Sequence, residues 1–163
     1  MEGEGLKQSK LDACLYYHKD FIVLTYVDDC LFFGPDLEKI DGFIDTLGQK
    51  YPLTKEEDDV FAFLGVNIKH NEDNTITLTQ TGLIEKILKV VNMEDSNTKA
   101  TPSSQVPLGT DANGPLPVES WSYPSVIGML MYLTSNSRPD IQYAVHQCAR
   151  FTHNPRKTHE DAV

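Results

Sequence analysis

Residues 21–34 read FIVLTYVDDCLFFG, with two adjacent carboxylates, Asp28 and Asp29, between two short apolar runs. Both runs are rich in β-branched and aromatic residues, and Gly34 and Pro35 end the second, a pattern typical of two buried strands that fold back on each other. The sequence therefore predicts a β-hairpin with the acidic pair at its bend. Two carboxylates at such a bend suit a hard cation that prefers oxygen ligands. The alternative interpretation is ordinary turn chemistry, because aspartate is common in turns.

The overall composition limits the classes of protein to which the chain can belong. At 163 residues with 40% hydrophobic side chains, it can form one domain or two small subdomains around a core. The net charge is −10 and the sequence pI is about 4.8, which is the wrong sign for a protein whose whole surface binds nucleic acid. A nucleic-acid-binding role therefore requires a local basic face, or basic segments outside this sequence.

The cysteines and the apolar runs indicate a cellular compartment. Cys14, Cys30 and Cys148 are widely spaced and form no C-x-x-C pair, which predicts neither a disulfide framework nor a structural zinc site. This usage favours a reducing, intracellular compartment. No apolar stretch approaches the ~20 residues that a membrane span needs, so we expect no membrane partner.

The residues that follow the acidic hairpin change to a helical period. Apolar residues recur at helical spacing from Leu37 to Leu47, and Asp36 is the predicted N-cap. The sequence predicts a helix here, with its apolar stripe on the sheet.

A second hairpin and a second helix are predicted further along the chain. Residues 60–68 form one predicted strand, in which Gly65 indicates a bulge or a close approach of another backbone. A polar turn at 70–74 and an alternating strand at 75–79 complete the hairpin. Residues 82–93 form an amphipathic helix.

The last third of the chain begins with a linker and ends with helices. Residues 102–119 combine prolines with several Gly, Ser and Asn residues, which predicts a linker between two structural units. Apolar stripes at 123–134 and 138–151 predict a helical hairpin. The expected fold class is α+β: an antiparallel sheet with the acidic hairpin and a packed helix, then a second hairpin with its helix, then a C-terminal helical hairpin.

Four blocks of sequence, in this order, carry a resemblance to a known family. Tyr26–Asp29 between apolar strands is similar to the catalytic box of reverse transcriptases, and Phe63–Val66 is similar to their primer-grip hairpin. The run from 78 to 93, followed by Thr101 and Pro102, resembles the thumb of that family. Residues 123–151, which contain the sequence Arg-Pro-Asp-Ile, resemble its connection segment. Together the blocks resemble the reverse transcriptases of copia-type long-terminal-repeat retrotransposons.

The resemblance implies an activity, a cofactor and a set of site residues. The activity is RNA-directed DNA polymerisation by nucleotidyl transfer with two Mg²⁺ ions. Asp28 would be a direct Mg²⁺ ligand, and Asp29 a second or supporting carboxylate. The residues that would contact the primer or nucleic acid are Tyr26, Val27, Phe63, Leu64 and Gly65.

The resemblance also implies partners and a division of the chain. In the intact polymerase the partners are an RNA template, a DNA primer and deoxynucleotides. The family's third aspartate and its fingers would lie N-terminal to Met1, and ribonuclease H would follow the last residue. The expected divisions are a partial palm with the primer-grip strand at 1–69, a thumb-like strand and helix at 70–101, a linker at 102–119 and a helical connection toward ribonuclease H at 120–163.

These implications lead to one functional hypothesis and one alternative. The chain is expected to be part of a reverse transcriptase that is inactive in isolation, located in the cytoplasm (within a virus-like particle) or in the nucleus. The alternative is a non-catalytic retroelement remnant, or a module that binds nucleic acid or protein.

Basic side chains near the C-terminus leave two interpretations open. They form a local excess of positive charge that, between residues 138 and 159, only Asp140 opposes. Such a cluster either contacts a nucleic-acid backbone or is solvated surface. The cluster consists of Arg138, Arg150, Arg156 and Lys157, and the same ambiguity applies to Lys86 and Lys89 on the second predicted helix.

Overall fold

The chain forms two compact units, Met1–Asp58 and Asp59–Val163. The computed structural model describes residues 5–55, 60–103 and 106–163. Each unit contains hydrophobic clusters of its own. The mixture of antiparallel sheets and helices confirms the predicted α+β class.

The first unit is built on a four-stranded antiparallel sheet. Its strands are β1 (Lys7–Gln8), β2 (Leu15–Tyr17), β3 (Ile22–Tyr26) and β4 (Asp29–Phe33), and they pair in sequence order. The β3–β4 register joins Ile22 to Phe33 and Tyr26 to Asp29. The hairpin predicted from the two apolar runs is therefore confirmed.

One face of this sheet is covered by helix α1 (Leu37–Gly48). The side chain of Asp36 accepts a hydrogen bond from the Lys39 backbone N–H at 3.3 Å, so the predicted N-cap is confirmed. Side chains alternate along a strand, so Val23 and its cross-strand partner Phe32 share the face that meets the helix. The buried residues of this core are Leu6, Phe21, Val23 and Ile40.

Gly34 lies where the hairpin meets helix α1, and we predict that a side chain there is not tolerated. A Cβ at this position would lie 2.9 Å from Cβ of Phe21 and 3.2 Å from Cδ1 of Ile40. Gly34→Ala should therefore lower the free energy of unfolding by about 1–3 kcal/mol through overpacking. Chemical denaturation measures this change.

Gly42→Ala is the matched control, because Gly42 lies inside helix α1 and an added Cβ meets nothing within 4 Å. Its substitution should raise stability by about 0.5–1 kcal/mol, since alanine is the better helix former. Equal effects of the two substitutions would contradict the close packing at Gly34.

The second unit begins with a three-stranded antiparallel sheet, not a single hairpin. Its strands are β5 (Val60–Phe63), β6 (Val66–His70) and β7 (Ile76–Thr79). The single strand predicted over 60–68 is wrong, because the chain reverses at Leu64 and Gly65 and pairs Phe63 with Val66. Gly65 is therefore part of a turn and does not form the predicted bulge. The predicted turn at 70–74 is confirmed by the β6–β7 pairing.

Helices complete the second unit. They are α2 (Thr81–Val90), α3 (Tyr123–Asn136), α4 (Gln142–Ala149) and the short α5 (Lys157–Glu160), with a 3₁₀ turn before α4. Ile87 of α2 packs with Val126 and Leu133 of α3. The predicted helices after residue 80 and after residue 122 are thus confirmed. Within the described parts of the chain, no helix is long and apolar enough to cross a membrane.

The boundaries of the compact units differ from the predicted divisions at 69, 101 and 119. Strands β5 and β6 share one sheet with β7, and α2 shares one core with α3 although the predicted linker lies between them. The division of this chain into palm, thumb, linker and connection stays a prediction, because the packing units do not test it.

The predicted linker has no helix or strand in its described residues, 102–103 and 106–119. Its backbone is nevertheless bonded to the C-terminal helix. The Nδ1 atom of His159 accepts from the backbone N–H of Arg156 at 2.9 Å, so Nε2 carries the proton and donates to the Gly109 carbonyl at 2.8 Å. The Glu160 carboxylate accepts from the backbone N–H groups of Val118 and Glu119 at 3.1 and 3.0 Å. We call these bonds from His159 and Glu160 the clip.

We predict that Glu160 makes the stability of the second unit sensitive to acid. Burial raises the pKa of its carboxyl, but hydrogen bonds from the Val118 backbone, Lys157 and the Glu119 backbone together hold that pKa below the usual 4.5. A depressed folded-state pKa stabilises the fold above the unfolded-state pKa, and this stabilisation is lost as the pH falls through the folded value. Below pH 4.5, unfolding should therefore become easier.

The test compares unfolding curves of Glu160→Gln and the wild-type chain between pH 7 and pH 3. The variant should lose about 1–3 kcal/mol at pH 7, because an amide cannot accept all the bonds of the carboxylate. It should also show a flatter acid dependence. Glu85→Gln, at an exposed site of helix α2, is the control. An acid dependence of Glu160→Gln identical to that of the wild type would contradict the role of Glu160.

Candidate active site

The acidic pair lies at the tip of the β3–β4 hairpin. Tyr26 pairs with Asp29, so Val27 and Asp28 form a two-residue loop, and Asp29 is the first residue of β4. Val27 has a φ of +53°, whereas Asp28 does not share this left-handed conformation. This is the pattern of a type II′ turn, which matches the twist of a hairpin and normally has glycine at the first position. A β-branched residue is strained there, and such strain is concentrated at functional sites.

The residues at the hairpin tip lie on the face of the sheet opposite the core. The pair Tyr26–Asp29 is three positions along from the pair Val23–Phe32, which meets helix α1, so it lies on the opposite face of the sheet. Tyr26 is 54% and Val27 is 88% exposed, and both carboxylates are exposed as well. The hairpin thus presents two negative charges to solvent on a rigid base.

The chemistry of these donors suits magnesium. Carboxylate oxygens are the ligands that Mg²⁺ prefers, and it keeps several waters where the protein supplies few of them. Within the residues that the structure describes, no group of three or more His, Cys, Asp or Glu side chains could hold a metal ion. Asp28 and Asp29 therefore fit Mg²⁺ by ligand type.

Cys30 follows the acidic pair and does not compete with it as a ligand. Desolvation of the thiol, together with the neighbouring Asp29 carboxylate, raises the pKa of Cys30. The thiol therefore stays neutral at physiological pH, and a neutral thiol is a poor metal ligand.

Phe63, Leu64 and Gly65 form a second candidate surface, in the other compact unit. Phe63 is buried and ends β5, while Leu64 and Gly65 form the turn to β6. Their φ values are +51° and +73°, the pattern of a type I′ turn. The hydroxyl of Tyr132 on helix α3 donates a hydrogen bond to the Leu64 carbonyl.

The basic residues near the C-terminus are largely engaged within the chain. Arg138 donates two hydrogen bonds to the Asp140 carboxylate, each at 2.8 Å. Arg150 lies 5.3 Å from the centre of the Phe151 ring. Lys157 lies 3.0 Å from Glu160 and 2.9 Å from Asp161. These contacts favour the solvated-surface interpretation for Arg138 and Lys157, because neighbouring carboxylates neutralise the charge of these two residues.

Lys86 and Lys89 differ from that cluster. Both are exposed on helix α2, and the residues that the structure describes place no carboxylate within ion-pair distance of either. They are the better candidates for contact with a phosphate backbone.

Three buried polar residues were not predicted from the sequence. Gln80, His159 and Glu160 are 2%, 0% and 5% exposed. The Gln80 Oε1 atom accepts a hydrogen bond from the Ser137 hydroxyl at 2.8 Å, while its Nε2 atom is buried without a partner. Of these, Gln80 does lie in a block that carries the family resemblance, the run from 78 to 93, which was the available signal.

Comparison with protein families gives one match that covers most of the chain. The family described as "Reverse transcriptase (RNA-dependent DNA polymerase)" matches residues 2–105. No solved structure matches the chain.

Curated relatives match nearly the whole chain. A retrovirus-related Pol polyprotein from transposon RE2 of Arabidopsis thaliana is 31% identical over 141 residues, which are 86% of this chain and 10% of the relative. The Pol polyprotein from transposon TNT 1-94 of Nicotiana tabacum is 30% identical over an alignment that covers 100% of this chain and 13% of the relative. A putative transposon Ty5-1 protein of Saccharomyces cerevisiae is 28% identical over 86% of this chain and 46% of its own length. The chain thus spans about a tenth of the length of the Pol polyproteins.

Proposed function

Because the chain belongs to the family of reverse transcriptases (RNA-dependent DNA polymerases), we propose that its β3–β4 hairpin is the metal-binding part of a polymerase active site. The membership, with transposon Pol polyproteins as relatives, confirms the resemblance to copia-type enzymes. The observation that carries the proposal is the exposed pair Asp28–Asp29 in a tight turn above a packed sheet.

The reaction is the transfer of a nucleotide to the 3′ hydroxyl of a DNA primer on an RNA template. Asp28 and Asp29 would hold Mg²⁺, which supplies the positive charge that phosphoryl transfer requires. The hairpin keeps both carboxylates at fixed positions, because β3 and β4 are joined along their whole length and rest on helix α1. Positioning contributes much of the rate in such reactions.

The remaining parts of the chain take roles around that site. Phe63, Leu64 and Gly65 would contact the primer, and Tyr26 and Val27 would lie near its 3′ end. Residues 1–69 act as partial palm, 70–101 as thumb, and 120–163 as a connection toward ribonuclease H. Further polymerase segments supply the fingers and the third aspartate, and the complex works in the cytoplasm, within a virus-like particle, or in the nucleus.

A second candidate function is binding without catalysis. It is favoured by the finding that no third metal-binding side chain joins Asp28 and Asp29 among the described residues. In that case the chain binds a primer–template duplex or a protein partner but transfers no nucleotide.

We predict that the chain alone binds an RNA–DNA duplex weakly and does not extend its primer. The net charge of −10 weakens binding at physiological salt, and two carboxylates complete too little of the Mg²⁺ shell for catalysis. Fluorescence anisotropy at several salt concentrations measures binding, and a primer-extension assay with Mg²⁺ measures activity.

The lysines of helix α2 provide a sharper form of this test. Lys86→Ala and Lys89→Ala should each lower the slope of log affinity against log salt by about 1. Lys99→Ala, at an exposed site outside α2, should leave the slope unchanged. Extension by the unaided chain would show that its site is complete, and absence of duplex binding at low salt would contradict the proposed role in the polymerase.

A further inference from the structure

Helix α3, together with Ser137 directly after it, is hydrogen-bonded to the segment that precedes the linker. The Tyr132 hydroxyl donates to the Leu64 carbonyl. One turn further along, the Ser137 hydroxyl donates to Oε1 of Gln80 at 2.8 Å. The first bond reaches the β5–β6 turn, and the second reaches the residue at the N-cap position of helix α2. These two bonds therefore restrain both ends of the segment from 64 to 80, which contains strands β6 and β7.

The β5–β6 turn depends on support from outside itself. Leu64 adopts a φ of +51°, a left-handed conformation that is unfavourable for a residue with a side chain. Leu64 is also 38% exposed, so its side chain is not fixed by full burial. The hydrogen bond from Tyr132 satisfies the Leu64 carbonyl and limits the positions that the turn can adopt.

Replacement of Tyr132 by phenylalanine isolates the hydroxyl that bonds the Leu64 carbonyl, because it keeps the ring. Tyr132 is 43% exposed, and it does not belong to the clusters in which α3 packs on α2 or α4. Tyr132→Phe therefore removes one hydrogen bond and leaves the core of the second unit intact.

We propose that Tyr132 is a positioning residue for the primer end, acting through the turn formed by Leu64 and Gly65. This inference rests on the proposed function, because it requires the turn to contact the primer. Because the turn contacts the primer in this proposal, a bond that fixes the turn also fixes the primer terminus. This restraint affects the rate, since a displacement of about 1 Å can cost a reacting group a factor of 100.

The test uses the whole chain and two duplexes of equal length. One has a recessed DNA primer end on an RNA template, and the other is continuous. Anisotropy gives the affinity for each, and a photoreactive thiothymidine at the primer 3′ end reports crosslinking to the peptide that contains 63–65. Hydrogen–deuterium exchange of the Leu64 and Gly65 amides reports the order of the turn. Tyr143→Phe is the control, because Tyr143 is 63% exposed on helix α4.

Tyr132→Phe should raise exchange at the turn and lower the affinity for the recessed primer about fivefold, the loss of one hydrogen bond of about 1 kcal/mol. The affinity for the continuous duplex should stay unchanged, and the crosslink yield at 63–65 should fall. A purely structural role would change both affinities equally.

The remaining outcomes overturn the inference in two distinct ways. If the wild-type chain prefers the recessed primer and Tyr132→Phe keeps that preference, the inference is wrong while the proposed function stands. If the wild-type chain shows no preference and no crosslink at 63–65, the primer-contact role fails, and the inference fails with it.

Discussion

Replacement of Asp28 by alanine is expected to abolish primer extension by a polymerase that contains this chain. Asp28 lies in the two-residue loop at the hairpin tip, with its carboxylate exposed. Removal of one charged ligand from a phosphoryl-transfer site should lower kcat by about a thousandfold or more, because the positive charge that stabilises the transition state is then lost or misplaced. The fold should be unaffected, since this exposed side chain packs in no core.

The measurement needs a complete polymerase. The chain can be joined to the upstream polymerase segment of the relative from transposon TNT 1-94, and extension of a DNA primer on an RNA template measured over a range of Mg²⁺ concentrations. Asp28→Asn keeps the shape of the side chain and should fail equally. Glu38→Gln, at an exposed site on helix α1, should extend the primer normally. Extension by Asp28→Ala at the wild-type rate would exclude Asp28 as a metal ligand.

Replacement of His159 by alanine is expected to cost the second unit about 3–5 kcal/mol of its free energy of unfolding. The imidazole is fully buried and stacks on Phe151, with ring centres 3.9 Å apart and planes within 4°. Alanine would leave a cavity and would also leave the Gly109 carbonyl and the Arg156 N–H without partners. Domains typically have a free energy of unfolding of about 5–15 kcal/mol, so this substitution should remove a large part of the unit's stability.

Chemical denaturation followed by the fluorescence of Trp121, which packs in both clusters of that unit, measures the loss. His153→Ala is the matched control, because His153 is an exposed histidine six residues away in sequence and should change stability by less than about 0.5 kcal/mol. Limited proteolysis should also begin to cut at 109–119 in His159→Ala. Equal stabilities of the two variants would show that the clip contributes nothing.

Patterns in the sequence correctly predicted the strands and helices that neighbouring residues determine. The β3–β4 hairpin follows from two apolar runs around a polar pair, and the start of helix α1 follows from Asp36, whose side chain bonds the Lys39 N–H as an N-cap does. In contrast, the turn at Leu64 was missed because leucine gives no turn signal and Gly65 lies inside an apolar run. The pairing of Phe63 with Val66 decides the conformation there, and that pairing depends on the whole sheet.

In the candidate site, too, the sequence predicts what neighbouring residues determine, but not the contacts between residues far apart in the chain. The exposure of Asp28 and Asp29 follows from their place in the hairpin, which the sequence predicts. The bonds of Tyr132 to Leu64 and of Ser137 to Gln80 join residues 68 and 57 positions apart. Neither periodicity nor residue spacing predicts such hydrogen bonds. They depend on how helix α3 packs against elements that lie much earlier in the sequence.

The clip also has a consequence for the rates of folding and unfolding. Its bonds join residues 41, 42 and 50 positions apart, and closing loops of this length costs entropy before any contact is gained. These bonds should therefore form after the rate-limiting step, once the neighbouring helices have packed. Substitutions at His159 and Glu160 should then accelerate unfolding and leave the folding rate almost unchanged. The clip thus sets how long the second unit stays folded, and not how quickly it folds.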